Sequence, residues 1–169
     1  MLVSVDGLAG KELIAAAKRL LRSKGRPDTA FSSWDASGIF FEIQDLPGDD
    51  DSPSARTLLL LYAADLRFRL RWEIGPAIEL GHTVVAAPYV ETAIAFGRIH
   101  RVSRRWMKEL FRFAPPAKEA YWVNVESPGR ARTTSGFIEF CRRALPAGFD
   151  ESFMQHFNTL EKRGKCRGL

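Results

Sequence analysis

The sequence predicts a single α/β domain, a parallel sheet flanked by helices in three layers. Three observations carry that prediction. Apolar strand-like runs alternate with helical patterns along the 169 residues, as parallel strands joined by crossover helices require. The chain opens as a strand, a glycine-containing turn and a helix between Leu2 and Lys24. Near the middle, His82-Thr83-Val84-Val85-Ala86-Ala87 has the composition of a buried strand.

The elements follow in order. Leu2 to Val5 is the first strand. The helix from Glu12 to Lys24 places Leu13, Ala16, Ala17, Leu20 and Leu21 on one stripe, and Gly25 and Pro27 end it. Thr29 to Trp34 reads as a second strand. Ile39 to Ile43 has strand composition, but Asp35 is placed to cap a helix running to about Asp45. Pro47 to Pro53, with Asp49, Asp50 and Asp51, is a solvated loop. Ala55 to Leu80 predicts a long helix broken near Gly75-Pro76, with Phe68 and Trp72 facing inward and Asp65 solvated. After the strand at 82–87 come helices at Val90 to Gly97 and Val102 to Phe113, then a strand from Tyr121 to Glu126. Helices from Thr133 to Leu145 and Asp150 to Arg163 complete the pattern, and residues 164–169 form a frayed basic tail.

Composition narrows the function classes. Hydrophobic residues make up 46% of the chain, which supports a packed core and excludes a disordered polyelectrolyte. Two cysteines, Cys141 and Cys166, exclude a disulfide framework or a cysteine-rich zinc module, and a reducing cytoplasm is expected. The longest apolar run, Leu58 to Ala64, is far shorter than the roughly 18 residues of a membrane span. His82, His100 and His156 lack metal-ligand spacing, and Ser103 and Ser135 have no adjacent base. The net charge is +5, and it is divided unevenly. Residues 1–97 hold 10 Lys/Arg against 13 Asp/Glu, and residues 98–169 hold 15 against 7. Arg98, His100, Arg101, Arg104 and Arg105 cluster beside Trp106 and Lys108; they read as a solvated helix face, with a polyanion contact as the alternative.

Gly7-Leu8-Ala9-Gly10-Lys11 is the segment closest to a chemical motif. A phosphate-binding loop, G-x-x-x-x-G-K-[ST], wraps phosphates in successive backbone N–H groups, adds a lysine and holds Mg²⁺ on a hydroxyl. Here two residues separate the glycines, and Glu12 stands where the hydroxyl belongs. A shorter loop cannot form the same ring of donors, and a carboxylate at the helix start repels the anion. The expected outcome is a collapsed loop with Glu12 in the phosphate position.

Through about residue 132 the sequence resembles the thymidylate kinases. Leu2-Val3-Ser4-Val5-Asp6-Gly7-Leu8, a gap, and Ala9-Gly10-Lys11-Glu12-Leu13 match that family's opening strand and E-G-x-D-G-x-G-K-S-T. Leu58 to Asp65 matches L-L-L-F-A-A-D-R, Ile74 to Gly81 matches I-x-P-A-L-x-x-G, and Val84 to Gly97 matches V-I-S-D-R-Y-x-D-S-S-x-A-Y-Q. Trp106 and Tyr121 to Val125 resemble the family's tryptophan and Y-L-D-V strand. The resemblance implies a P-loop nucleotide-binding fold, a helix over Ile39 to Asp45, ATP on the first loop (Gly7, Gly10, Lys11) and a dTMP-like nucleotide beside Tyr62, Tyr89 and Phe96. It also implies a homodimer, for which the apolar helix from Leu58 to Trp72 is suited.

The charged groups of that chemistry are replaced. The arginine of the A-D-R motif is Leu66, the D-R pair before the tyrosine is Ala87 and Pro88, and the later glutamine is Gly97. An R-E-P-G segment is replaced around Ser33-Trp34-Asp35-Ala36. Phosphoryl transfer rests on positioning and charge neutralisation, and each lost charged contact costs on the order of 2–4 kcal/mol of transition-state stabilisation. The arginine-rich lid and the final strand are also expected to be missing. The expectation is a kinase-like protein without catalytic residues beyond a remnant at Lys11, without metal or cofactor, keeping at most a nucleotide cleft and acting through regulatory or protein contacts. The alternatives are an active nucleoside monophosphate kinase using ATP, Mg²⁺ and arginines from residues 98–105, or a nucleic-acid or polyanion binder using the basic half, although nucleic acid is not the expected partner.

Overall fold

The structure, a computed structural model, describes residues 1–24, 28–43, 53–124 and 130–143. Strand β1 (Leu2–Asp6) leads into α1 (Gly10–Lys24), β2 (Thr29–Ser33), α2 (Ile39–Ile43) and α3 (Ala55–Arg69). A π turn at Leu70–Ile74 joins α3 to α4 (Gly75–Glu79). Then come β3 (Thr83–Ala87), α5 (Val90–Ile99), α6 (Arg104–Leu110), β4 (Glu119–Trp122), a 3₁₀ turn at Arg130–Arg132 and α7 (Thr134–Arg143). The predicted helix at 150–163 and the tail at 164–169 lie outside the described residues, as does most of the loop at 47–53.

All four strands are parallel, in the order β2-β3-β1-β4. Period-two alternation explains how a sheet this short is covered on both faces. Val3, Val5, Val85 and Ala87 face α1, where Leu13 and Ala17 meet them. Leu2, Val84 and Ala86 face the other way, into a larger core built from α3, α5, α7 and the chain after β2. Helices on both sides give the expected three layers.

Two sequence expectations are corrected here. The last strand starts at Glu119, earlier than Tyr121, because its register is set by pairing Val3 with Glu119 and Asp6 with Trp122. The long helix is interrupted as expected, directly before Gly75-Pro76. It passes into the π turn, whose wider winding takes up one extra residue and rotates the face that follows. Phe68 and Trp72, expected inward, are 39% and 51% exposed: they continue the exposed row of Leu60 and Ala64, on a different face from the fully buried Leu58, Tyr62 and Arg69.

Candidate functional site

Ligands of open parallel sheets bind at the carboxyl ends of the strands, so the residues there come first. Asp6 ends β1 in a buried position. Its Oδ1 accepts hydrogen bonds from Tyr89 N at 2.8 Å, Thr92 N at 3.0 Å and Thr92 Oγ1 at 2.8 Å. Burial pushes its carboxyl above the ordinary value, against the opposing pull of the bonds from Thr92 and Tyr89. Thr92 Oγ1 in turn accepts from Gly7 N at 3.0 Å. The polar groups of the first loop and of the α5 start are thus bonded to one another.

Of the loop residues singled out for phosphate, Gly7 is held tightly by its surroundings. A Cβ there would lie 2.9 Å from Val123 O, because Val123 continues the pairing beyond β4 with its N–H on Asp6 O at 2.8 Å. Gly10 opens α1, and a Cβ on it would meet Phe140 Cδ2 at 3.2 Å. Lys11 follows in the first turn, and its side chain lies outside the described set. Glu12 is exposed, which corrects the expectation that it fills the phosphate position. A ring from α7, not a carboxylate from α1, stands against the glycine.

Tyr62, Tyr89 and Phe96 are brought together, but by packing. Tyr62 is buried and its hydroxyl donates to Tyr89 O; Tyr89 Oη donates to Pro115 O at 2.8 Å. Burial pushes the Tyr62 hydroxyl well above the ordinary phenol range, with a smaller contribution from the Asp6 charge, and raises that of Tyr89 to about 12. Phe96 stacks on Phe137 of α7 with ring centroids 3.8 Å apart and planes at 14°. Trp34 meets the edges of Tyr62 at 4.5 Å, Phe140 at 4.8 Å and Phe137 at 5.7 Å. The two aromatics that the resemblance places on a nucleobase already have rings against them. Trp34 Nε1 is buried without an acceptor among the described residues, an uncompensated group at the centre of this cluster.

The carboxylate Asp65, expected in solvent, is buried. It accepts from Asp35 N at 3.2 Å, Ser37 N at 3.0 Å and Ser37 Oγ at 2.8 Å, and so fixes the turn after β2. Asp35 caps α2 as anticipated, through bonds from Phe40 N at 2.7 Å and Phe41 N at 2.8 Å, although it stands four residues before the first helical position. Its φ of 53° turns the chain sharply enough for both oxygens to reach those amides. Arg69 reaches Ser32 Oγ and Ser32 O at 2.9 Å each and Pro88 O at 3.0 Å. Ser32 Oγ donates onward to Glu73 Oε2 at 2.5 Å. This guanidinium ties β2 to the turn after β3, with all its described partners inside the protein.

The replaced positions also serve packing. Leu66 and Ala87 are fully buried, and Pro88 is buried too. A Cβ at Gly97 would run into Met107 Sδ and lie 3.1 Å from Leu59 Cδ1, so α6 approaches α5 over a missing side chain. The first loop differs in three respects from one that wraps the phosphates of ATP with Mg²⁺. The loop is two residues short, its first N–H is taken by Thr92, and Phe140 covers Gly10. Among the described residues no group of three or more His, Cys, Asp or Glu side chains is arranged to hold a metal ion. Of the arginines of the active-kinase alternative, Arg98 lies in the last turn of α5. Arg98 is nine residues along α5 from Tyr89, roughly 14 Å of helix.

Sequence reasoning found Tyr62, Tyr89 and Phe96 but missed their neighbours Trp34, Phe137 and Phe140. The signal available was the aromatic spacing of α7, Phe137 and Phe140 on one helical face, which periodicity alone does not assign to a partner.

No protein-family model matches the chain, and no curated protein matches it. Among solved structures it is similar to the thymidylate kinase from Ehrlichia chaffeensis, at 14% sequence identity and a TM-score of 0.61, over 85% of this chain and 81% of that one. The fold, a four-stranded parallel sheet flanked by helices, resembles that of thymidylate kinase. Among the described residues no helix is long and apolar enough to cross a membrane.

Proposed function

We propose that this chain is a thymidylate-kinase-like protein that has given up phosphoryl transfer, its nucleotide cleft absorbed into the core, and that it acts through contacts made by its surface. The observation that carries this reading is the seating of Phe137 against Phe96, with Phe140 on Gly10. These rings stand where the resemblance puts a base and the start of a phosphate loop. The loss of charge at Leu66, Ala87 and Pro88 points the same way, since a site that binds and transfers phosphate needs the cations that those positions lack.

The surface contact we propose is with a second copy. Leu60, Ala64, Phe68 and Trp72 are exposed at four-residue spacing along α3 and the π turn, with Arg67 and Arg71 beside them. A row of this kind suits a helix face packed on its twin, and arginine with tryptophan is the composition interfaces favour.

One set of measurements tests both statements. Calorimetric titration with Mg-ATP and with thymidine monophosphate is expected to give no heat of binding, and a coupled assay no ADP. Turnover, or micromolar binding of either nucleotide, overturns the reading. Light scattering is expected to give the mass of a dimer that Phe68→Glu with Trp72→Glu converts to monomer; a monomeric wild type refutes the second part and leaves the first standing.

A further inference from the structure

The strongest feature left over lies at the far end of α5. Arg98, Arg101, Arg104 and Arg105 are all exposed around the single turn that joins α5 to α6. No Asp or Glu occurs between Thr92 and Lys108. None of the four arginines has an ion pair among the described residues; the neighbouring Glu109 is engaged by Arg112 at 3.6 Å. His100 Nε2 lies 2.7 Å from Arg132 O, which brings an exposed fifth arginine beside the turn.

The backbone adds an observation that charge counting does not. Helix α5 ends in a Schellman motif: Val102 N donates to Gly97 O at 2.9 Å and Arg101 N to Arg98 O at 3.1 Å. The residue at the left-handed position of this motif is ordinarily glycine, because a Cβ is strained there. Here it is Arg101, with φ of 53°. Glycine would relax the turn, and arginine burdens it while adding to the repulsion among its neighbours. A long cation held at a position that disfavours it is what a binding role for that side chain explains.

We infer that the α5–α6 turn is a binding surface for the phosphate backbone of a single-stranded nucleic acid. Guanidinium forks match phosphate oxygens two at a time. Arg98, Arg101 and Arg104 recur every third residue across the turn and put several exposed cations within a short stretch of chain, as contact with successive phosphates of one strand requires. Trp106 is half-buried next to the array with the exposed Arg56 over its ring at 5.5 Å, and an unpaired base that displaced this guanidinium would stack there. Helix α6 has seven residues and does not provide an element long enough to be laid along a duplex groove. The surface is independent of the closed cleft.

The test is fluorescence anisotropy of the full chain with a labelled 20-nucleotide single strand of mixed sequence. Four neutralised phosphates correspond to a salt slope of about −2.8, so affinity is expected to fall about 50-fold between 50 and 200 mM salt. Replacing Arg101 and Arg105 together with alanine is expected to halve that slope, leaving about a 7-fold fall over the same range. Replacing the same two with lysine is expected to keep the slope, which separates loss of charge from damage to the fold. Absence of binding at 50 mM salt overturns the inference. So does binding that the alanine pair leaves unchanged. Displacement by poly-glutamate as effective as by unlabelled strand overturns it in favour of an acidic protein, and tighter binding of a duplex of the same length overturns the single-strand assignment.

Discussion

Truncating Phe137 to alanine isolates the contribution of α7 to the closed cleft. The ring is fully buried, stacks on Phe96 at 3.8 Å, and lies 5.7 Å from Trp34 and 5.9 Å from Phe140. Removing a buried phenyl ring costs about 3–5 kcal/mol when the cavity does not collapse, and the stacking on Phe96 is part of that sum. For a chain of this size each kcal/mol moves the midpoint by about 2–4 °C, so a loss of about 4 kcal/mol lowers Tm by roughly 8–16 °C. Urea unfolding followed by tryptophan fluorescence reads the same change, since Trp34 sits in the cluster. Ser135, exposed two residues earlier, is the control, and Ser135→Ala is expected to stay within about 0.5 kcal/mol of the parent. If Phe137→Ala costs less than about 1 kcal/mol, α7 is not part of the core and the reasoning from its rings fails.

Asp6 supplies a pH dependence with a defined sign. Its carboxyl is raised from 3.8 in the folded chain, so its contribution to stability is fully present below about pH 3.8 and is lost as pH rises through the folded value. Asp6→Asn cannot titrate and should gain on the wild type between pH 4 and 7 in urea titrations; a variant that loses ground over that range contradicts the assignment. Gly97→Gln restores the residue type the resemblance places there, and its side chain meets Met107 and Leu59. Overpacking of this kind costs about 1–3 kcal/mol, expected as a lower midpoint in thermal unfolding and partly relieved by Met107→Ala; an unshifted midpoint would show that α6 yields freely.

What the sequence made legible depended on range. The strands at Leu2 and Thr83 and the helix after Gly10 followed from local pattern, because their apolar residues repeat at the period of the element that buries them. Asp35 was legible as a cap because capping is settled within a few residues. Phe68 and Trp72 were misassigned because their aromatic character argued for burial, whereas the helical row that they share with Leu60 and Ala64 faces outward. Asp65 was expected in water since its partners, the amides of Asp35 and Ser37, are 28 to 30 residues away. The candidate site depended most on distant partners: Tyr62 and Phe96 were identified through resemblance, and the rings of α7 that fill the space between them are joined to them only in three dimensions.

That last arrangement bears on how the chain is made. Trp34 emerges from the ribosome 106 residues ahead of Phe140, the ring it meets at 4.8 Å. At ordinary synthesis rates the interval is about 5–20 s. During it the faces of Trp34, Tyr62 and Phe96 that α7 will cover have only water or a chaperone to lie against. A nascent chain halted before residue 134 would carry an open aromatic slot, and its solubility during synthesis would depend on how soon α7 arrives.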